Sequence, residues 1–366
     1  MTTSPHAAPR TDGPGPAPSA SDAEPGSGRR LRPGRDMPWS ITLLVLARDR
    51  GIFLLWALFL VFFSFWCAPY FASIDNALLI ANAASLTAVF AAGVGIGVMT
   101  GVLDLSLPGT AALASCVCGW LLTHGHATWL SLVAGLACGV LVGMVNGLIS
   151  LGRFNPIIIT IATLSVLTGL AAVVAGGYTF PGLTQLTFMG TDRYLGVPAP
   201  VYIVAVVYLV GTIFLTRTRD GLRLMAVGGN AEAVRRSGIP TPVYQVLGFV
   251  LSGLFGALGG LIATAVTTEA NPQASPSIIF TALTAVALAG VSLSGGEGSL
   301  PRILVGSLIL ATITNGLTIR GIQPYWATVI TGLLLLGSLA VDRALHRAVS
   351  ERLVSHAHLT VHDKKA

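Results

Sequence analysis

Charged residues are scarce in this sequence, and lysine is almost missing from it. Only 10% of the 366 residues are charged, whereas a soluble domain contains about 25%. Hydrophobic residues make up 53% of the chain, and the mean hydropathy is +0.77. A single soluble core stops growing at about 250–300 residues and still needs a polar surface around it. The composition therefore indicates a membrane protein.

The few polar groups also exclude several functions. The two lysines, Lys364 and Lys365, stand at the end of the sequence, so no lysine follows a glycine-rich loop as ATP binding by a P-loop requires. The basic residues lie at the ends of apolar segments, which membrane orientation explains without nucleic acid. No histidine lies inside an apolar segment. We predict no catalytic site, no metal site and no cofactor, and hence a protein that is not an enzyme.

Apolar segments follow one another along most of the chain, and glycine interrupts many of them. Several are shorter than the roughly 20 residues of a simple membrane span. Residues 98–109 could re-enter the membrane instead of forming a plain loop. We predict an all-α polytopic membrane protein with about ten spans, at residues 52–70, 76–97, 106–123, 129–150, 156–176, 200–216, 243–266, 278–293, 302–318 and 326–341.

The arginines predict how these spans are oriented. With ten spans and a cytoplasmic N-terminus, 19 of the 21 basic residues fall on the cytoplasmic side. Only Arg193 and Arg320 fall outside. Positive residues concentrate in cytoplasmic segments of membrane proteins, so both termini are predicted to be cytoplasmic.

Three regions follow from this map. Residues 1–50 form a predicted disordered cytoplasmic tail, because eight prolines and several glycines among the first 38 residues cannot build a core. Residues 51–342 form a predicted transmembrane domain that contains a long cytoplasmic loop, 217–242. Residues 343–366 form a C-terminal cytoplasmic tail.

The loop 217–242 carries five arginines and a predicted short helix from Ala231 to Arg236. Asn230 is its expected N-cap, and Gly238 its expected end. Such a helix could dock a cytoplasmic partner, although a solvated loop also explains the composition. The residues predicted to act in docking are Gly228, Gly229 and Asn230 in a turn, Glu232, Ala233, Arg235 and Arg236 in the helix, and Ser237 and Gly238 at its end.

Two other sequence patterns do not decide the function. Asn146-Gly147-Leu148 is repeated as Asn315-Gly316-Leu317, five spans later, which is typical of an inverted repeat but also fits chance similarity. Residues 293–297 (LSGGE) are similar to the signature motif of ABC ATPases. Because the chain has no P-loop, we predict a tight cytoplasmic turn there in which glycines supply unusual backbone angles.

Five stretches together resemble the ribose/xylose/arabinose-type permeases of bacterial ABC importers. They occur in the family's order over about residues 76–342, and only the combination is specific. The sequence departs from the family at Gly101-Val102-Leu103, where a double glycine is usual, and at Asn155, where a proline is usual. The stretches are MTGVLDLSLPGTAALAS (99–115), NGLISLGRFNPIIITIATLSVLTGLA (146–171), AVGGNAEAVRRSGI (226–239), LAGVSLSGGEGS (288–299) and NGLTIRGIQPYW (315–326).

The resemblance implies a fold of the vitamin-B12-importer type in the bacterial plasma membrane, surrounded by lipid. It implies the membrane-spanning subunit of an importer for a sugar or sugar-like solute. Its expected partners are a cytoplasmic ABC ATPase, in a groove of which the loop helix sits, an extracytoplasmic solute-binding protein, and a second permease in a homodimer or heterodimer. A branched-chain amino-acid ABC permease and an ion-coupled secondary transporter are the alternatives.

A neutral sugar needs hydroxyl and amide partners along its pathway. Polar side chains in or beside the predicted spans suit that role, although helix packing in lipid uses the same residue types. The candidate pathway residues are Asn82, Asp104, Ser106, Thr160, Thr163 and Ser165.

Overall fold

Helices make up most of the chain in the computed structural model, which describes residues 39–152, 154–292, 295–341 and 343. The chain divides into two units, residues 1–44 and residues 45–366. Within the first unit, the structure describes the start of helix α1. The helices are α1 (Trp39–Trp66), α2 (Ile74–Met99), α3 (Leu107–Thr123), α4 (Thr128–Ser150), α5 (Pro156–Val174), α6 (Thr187–Gly190), α7 (Ala199–Arg217), α8 (Arg219–Arg236), α9 (Thr241–Thr267), α10 (Ser277–Leu288), α11 (Leu300–Ile319) and α12 (Pro324–Val341).

Each predicted span coincides with one apolar helix. Seven helices of the described chain are long and apolar enough to cross a membrane, namely α2, α4, α5, α7, α9, α11 and α12. The remaining three spans coincide with α3, α10 and residues 50–66 of α1, which are apolar but shorter. The polytopic helical architecture is therefore confirmed, while the count of ten crossings stays a prediction.

Helix boundaries differ from the sequence prediction in two places. Helix α1 begins at Trp39, inside the predicted tail 1–50, because the apolar run of residues 41–47 continues the helix toward the N-terminus. The outer connection 177–199 also contains regular structure, with a 3₁₀ turn at Thr184–Leu186, helix α6, and a small antiparallel hairpin of β1 (Arg193–Tyr194) and β2 (Val197–Pro198). The chain is thus not purely helical.

Proline and polar caps explain where many helices begin. A proline lies in the first turn of α3, α5, α7, α9 and α11, where its missing N–H costs nothing. Ser73 caps α2 by accepting a hydrogen bond from the Asn76 N–H at 3.2 Å. Asn155 caps α5 in the same way through the Ile157 N–H at 3.0 Å.

Helices α2 and α9 form the centre of the packing. Helix α2 packs on α10 and α11, and α9 packs on α3 and α4. The α4–α9 contact is so close that a Cβ on Gly139 would overlap the Gly253 carbonyl oxygen. Each of the helices α9–α12 follows its counterpart among α2–α5 by about the same number of residues that separates Asn146 from Asn315. The packing partners therefore repeat along the chain, as an internal repeat would require.

Segments predicted to lie on one side of the membrane contact one another. On the predicted outer side, Phe180 pairs with Ala270 in a β-bridge, and the Arg320 guanidinium lies 5.2 Å from the centroid of a Trp66 ring. On the predicted inner side, the Gly296 N–H donates to the Met99 carbonyl at 2.9 Å. These contacts agree with the alternating order of the spans.

The possible re-entrant segment 98–109 and the LSGGE segment 293–297 both lie on the predicted inner side. Residues 100–106, the α2–α3 link, are non-helical, and most of them are buried. Gly295 and Gly296 in the α10–α11 connection have φ angles of +88° and +77°, as the predicted tight turn requires; Leu293 and Ser294 lie outside the described residues.

Candidate functional site

Helix α8 is two helices joined at Asn230. It begins at Arg219, where the Thr218 hydroxyl accepts a hydrogen bond from the Gly221 N–H at 3.0 Å. At Asn230 the backbone leaves the helical region, with φ −158° and ψ 89°. The prediction of a loop up to Asn230 is therefore wrong. Gly228 and Gly229 are helical and do not form a turn, because Gly221, Leu224 and Val227 give this segment one buried face.

The predicted short helix 231–236 is present with both of its caps. The Asn230 Oδ1 accepts a hydrogen bond from the Ala233 N–H at 2.9 Å, so Asn230 is the N-cap. At the other end, Gly238 has a φ of +80°. The Gly238 N–H donates to the Arg235 carbonyl at 3.0 Å, and the Ile239 N–H to the Val234 carbonyl at 3.4 Å. This is the Schellman pattern that glycine favours.

The charged face of the short helix is organised by Glu232. Arg235 donates to one carboxylate oxygen of Glu232 at 2.7 Å, and Arg236 to the other at 3.1 Å. These hydrogen bonds, that of Arg235 above all, hold the pKa of the Glu232 carboxyl below its ordinary value. Ala233 and Ser237 are exposed beside it. The helix thus presents two arginines and one glutamate to solvent, joined by exposed ion pairs.

Side chains also tether α8 to the membrane helices. The Tyr244 hydroxyl of α9 donates to Asp220 at 2.9 Å and accepts from Arg223 at 3.1 Å. Burial of Leu224 and Val227 adds apolar contact on the same side. These contacts anchor the first half of α8, before the break at Asn230, to α9.

A second group of polar side chains surrounds the α2–α3 link. Asp104 Oδ1 accepts hydrogen bonds from the N–H and the hydroxyl of Ser106, at 2.9 and 2.6 Å. The Ser106 hydroxyl accepts from the Asn146 amide of α4 at 2.9 Å, and the Asn146 Oδ1 accepts from the Thr163 hydroxyl of α5 at 2.7 Å. These four residues form one hydrogen-bonded chain, which we name the polar chain.

The polar chain ends in unsatisfied atoms. Asp104 is only 2% exposed, yet its Oδ2 has no hydrogen-bond partner among the described residues. The hydroxyl of Ser252 on α9 lies close enough to interact with this carboxyl group, although within the described chain Ser252 Oγ makes no hydrogen bond of regular geometry. Unpaired buried polar atoms are costly, so a small shift that pairs these two groups, or a further polar contact, would be favourable.

The other predicted pathway residues are not part of this chain. The Thr160 hydroxyl donates to the Pro156 carbonyl at 3.0 Å, and the exposed Ser165 donates to the Ile161 carbonyl at 3.4 Å, both within α5. Asn82 lies well inside α2, about 25 Å along the helix from Met99 at 1.5 Å per residue, and its Oδ1 has no partner among the described residues. Asn146 and Ser252 were missing from the prediction, although a buried asparagine or serine within an apolar span is a usable signal.

Comparison with known proteins assigns the family. The sequence profile of the family described as "Branched-chain amino acid transport system / permease component" matches residues 76–339, from α2 to α12. The chain belongs to this permease family. This match, together with the relatives described next, confirms the resemblance inferred from the sequence motifs.

The permease is similar to transport proteins for three sugars. It is 34% identical over 279 residues to the ribose import permease protein RbsC of Bacillus subtilis (strain 168), covering 75% of this chain and 87% of that protein. It is 31% identical over 283 residues to the L-arabinose transport system permease protein AraH of Escherichia coli (strain K12), covering 76% and 86%. The D-allose transport system permease protein AlsC of the same organism is 28% identical over 300 residues, covering 81% and 92%.

Family and fold together define the class of this protein. The permease is a multi-pass membrane protein of transmembrane transport, with seven candidate spans in the described chain. The relatives are named as permeases. The short helix 231–236 and the polar chain are therefore candidate sites of a transport protein.

Proposed function

We propose that the permease is the membrane-spanning subunit of an ATP-binding-cassette importer that moves a sugar or sugar-like solute into the cytoplasm. The observation that carries the proposal is its similarity, over three quarters or more of the chain, to permeases named for ribose, L-arabinose and D-allose. Its ten spans, with both termini in the cytoplasm, form the pathway. ATP is hydrolysed by a separate subunit.

The short helix 231–236 docks that ATPase. Its double capping fixes its shape, and the Glu232 ion pairs fix its charged face. The tether through Tyr244 joins the preceding half of α8, which continues into the short helix at Asn230, to α9. An exposed helix that is rigid and firmly attached can pass on the movement of a partner, which a flexible loop would absorb.

The polar chain and Ser252 lie along the solute pathway. A sugar hydroxyl both donates and accepts hydrogen bonds, so it can supply the partner that Asp104 Oδ2 or Ser252 Oγ has not found within the described chain. We keep the other three predicted residues as candidates for further parts of the pathway, namely Asn82, Thr160 and Ser165. Packing against a neighbouring helix is the alternative role for each of them. On the outer side a solute-binding protein delivers the sugar, and a second permease copy completes the channel.

Reconstitution tests the transport function. The permease would be co-expressed with an ABC ATPase and a solute-binding protein encoded beside it, and the complex placed in liposomes. We expect MgATP-dependent uptake of labelled ribose, arabinose or allose, unaffected by proton and sodium ionophores. Uptake that continues without ATP and stops with an ionophore would identify an ion-coupled transporter instead.

A branched-chain amino acid is the second candidate solute. The description of the matching family names that substrate class, whereas the named relatives carry sugars. Labelled leucine in the same liposomes separates the two. We expect an excess of unlabelled ribose, arabinose and allose, but not leucine, to compete for uptake; the reverse order would assign the amino-acid substrate.

The docking helix is tested by two substitutions, Ala233→Trp and Gly238→Val. Ala233 is exposed, so tryptophan blocks a groove without disturbing the core, and valine is strained at the positive φ of Gly238. We expect both variants to insert normally but to lose the co-purifying ATPase and ATP-driven uptake. Ala127→Trp, at an exposed alanine in the α3–α4 connection, is the control. Retention of the ATPase by both variants would contradict the docking role.

A further inference from the structure

Three backbone segments, one of them in α8, are in direct contact without side chains between them. They are Gly228 of α8, residues 99–101 at the end of α2, and Gly295 and Gly296 of the α10–α11 connection. A Cβ on Gly228 would overlap the Met99 carbonyl oxygen, and a Cβ on Gly295 would meet the Gly228 carbonyl. We name this contact the glycine junction.

Backbone hydrogen bonding and special backbone angles hold the junction together. The Gly296 N–H donates to the Met99 carbonyl at 2.9 Å, and Met99 itself is fully buried. Gly101, Gly295 and Gly296 all have positive φ angles, between +77° and +88°, which side chains rarely adopt. A contact between backbones cannot relax by changing a rotamer, so a displacement on one side is passed to the other.

The junction leads directly to the polar chain. Gly101 and Asp104 are three residues apart in the α2–α3 link, and Asp104 begins the series of hydrogen bonds through Ser106 to α4 and α5. Any movement of Gly228 against Met99 therefore acts on the segment that carries Asp104. By contrast, Gly229 is exposed, and a Cβ on it would meet only the Gly296 Cα, at 3.6 Å.

We propose that Gly228 is a positioning residue for coupling. Through its contact with residues 99–101 it transmits the movement of the ATPase-bound α8 to the α2–α3 link, and so to the polar chain. This role rests on the proposed docking of an ATPase at helix 231–236. It assigns the two halves of α8 different tasks, with binding after Asn230 and transmission before it.

Neighbouring glycines provide a matched test. Gly228→Ala places a methyl group against the Met99 carbonyl, while Gly229→Ala places one where ordinary contact is available. We expect Gly228→Ala to retain the co-purified ATPase and its basal ATP hydrolysis but to lose at least about fivefold in uptake, with the smallest affinity change typical of coupled sites as a guide. Gly229→Ala, which adds a methyl group to the same helix without the Met99 contact, should lose markedly less uptake than Gly228→Ala.

Each other outcome overturns the proposal in a recognisable way. Wild-type uptake by Gly228→Ala would show that the contact transmits nothing. Loss of the ATPase from Gly228→Ala would make Gly228 part of the docking surface, and an equal loss of uptake in Gly229→Ala would assign the effect to the kink. If the wild-type permease binds no ATPase, the proposed function itself fails.

A second measurement does not depend on the folding of Gly228→Ala. Leu103 lies half-buried in the α2–α3 link, and Leu103→Cys would be labelled with a small thiol reagent in a chain whose native cysteines are replaced by alanine. We expect the labelling rate in the assembled importer to change on addition of ATP and to stay constant when Ala233→Trp is also present. An equal rate with and without ATP would contradict transmission to the link.

Discussion

Asn146 is the residue on which the polar chain depends. It is fully buried in α4, its amide donates to Ser106, and its Oδ1 accepts from Thr163. A buried amide in an apolar helix bundle is tolerated only when such partners are present. The residue therefore joins three segments of the chain, and loss of either partner leaves a buried polar atom unpaired.

Thr163→Val removes one partner with almost no change of shape. It leaves the Asn146 Oδ1 without its donor, and an unsatisfied buried acceptor costs about 1–3 kcal/mol. We expect a lower unfolding temperature in detergent, followed by tryptophan fluorescence, and reduced uptake. Ser165→Ala, two residues further along α5, is the control for the unfolding temperature because the exposed Ser165 bonds to its own helix. Equal unfolding temperatures for the two variants would remove Thr163 from the polar chain.

At the scale of the element, α8 shows how one helical segment can serve two purposes. Its first part is buried on one face and tethered to α9 through Tyr244. Its second part is exposed and turned by the break at Asn230. The cap makes the break possible, because the Asn230 side chain replaces a backbone hydrogen bond that the kink removes.

Asn230→Ala tests the contribution of that cap. Loss of an N-cap costs about 1 kcal/mol, which corresponds to about a fivefold change in affinity. We therefore expect the ATPase to bind the variant about fivefold more weakly in a titration. Asn230→Asp keeps a side-chain oxygen at the same place and should restore binding. Unchanged affinity of the alanine variant would mean that the ATPase does not use the short helix.

For the whole molecule, the contacts separate the connections into two groups. Phe180 meets Ala270 in one group, whereas Gly296 meets Met99 in the other. Each group contains only connections that the alternating order of spans places on the same side. The distribution of arginines then predicts which group faces the cytoplasm.

Cysteine labelling in intact cells tests the orientation. Thr184 and Ala231 are not buried and belong to opposite groups. We expect Thr184→Cys to react with a membrane-impermeant maleimide from outside, and Ala231→Cys only after the cells are opened. A permeant maleimide, as control, should label both variants in intact cells. Reaction of both with the impermeant reagent would contradict the ten-span map.

The sequence by itself determined the features that depend on neighbouring residues. A long apolar run, here of 16 to 24 residues in the predicted spans, is buried either in a membrane or in a protein core. The predicted spans therefore coincide with helices α1–α5, α7 and α9–α12. The helix 231–236 was equally predictable, since its N-cap and C-cap bonds join residues at most five positions apart. The family followed from motifs in a fixed order.

Only the tertiary structure decided what joins distant segments. Asp104, Ser106 and Thr163 were candidates from the sequence, but Asn146 unites them across 40 and 17 residues, and nothing local indicates those partners. Gly228 was predicted in a turn and is helical instead. A glycine is required either by a positive φ or by a close approach of another backbone, and only the packed neighbour, here Met99, distinguishes the two.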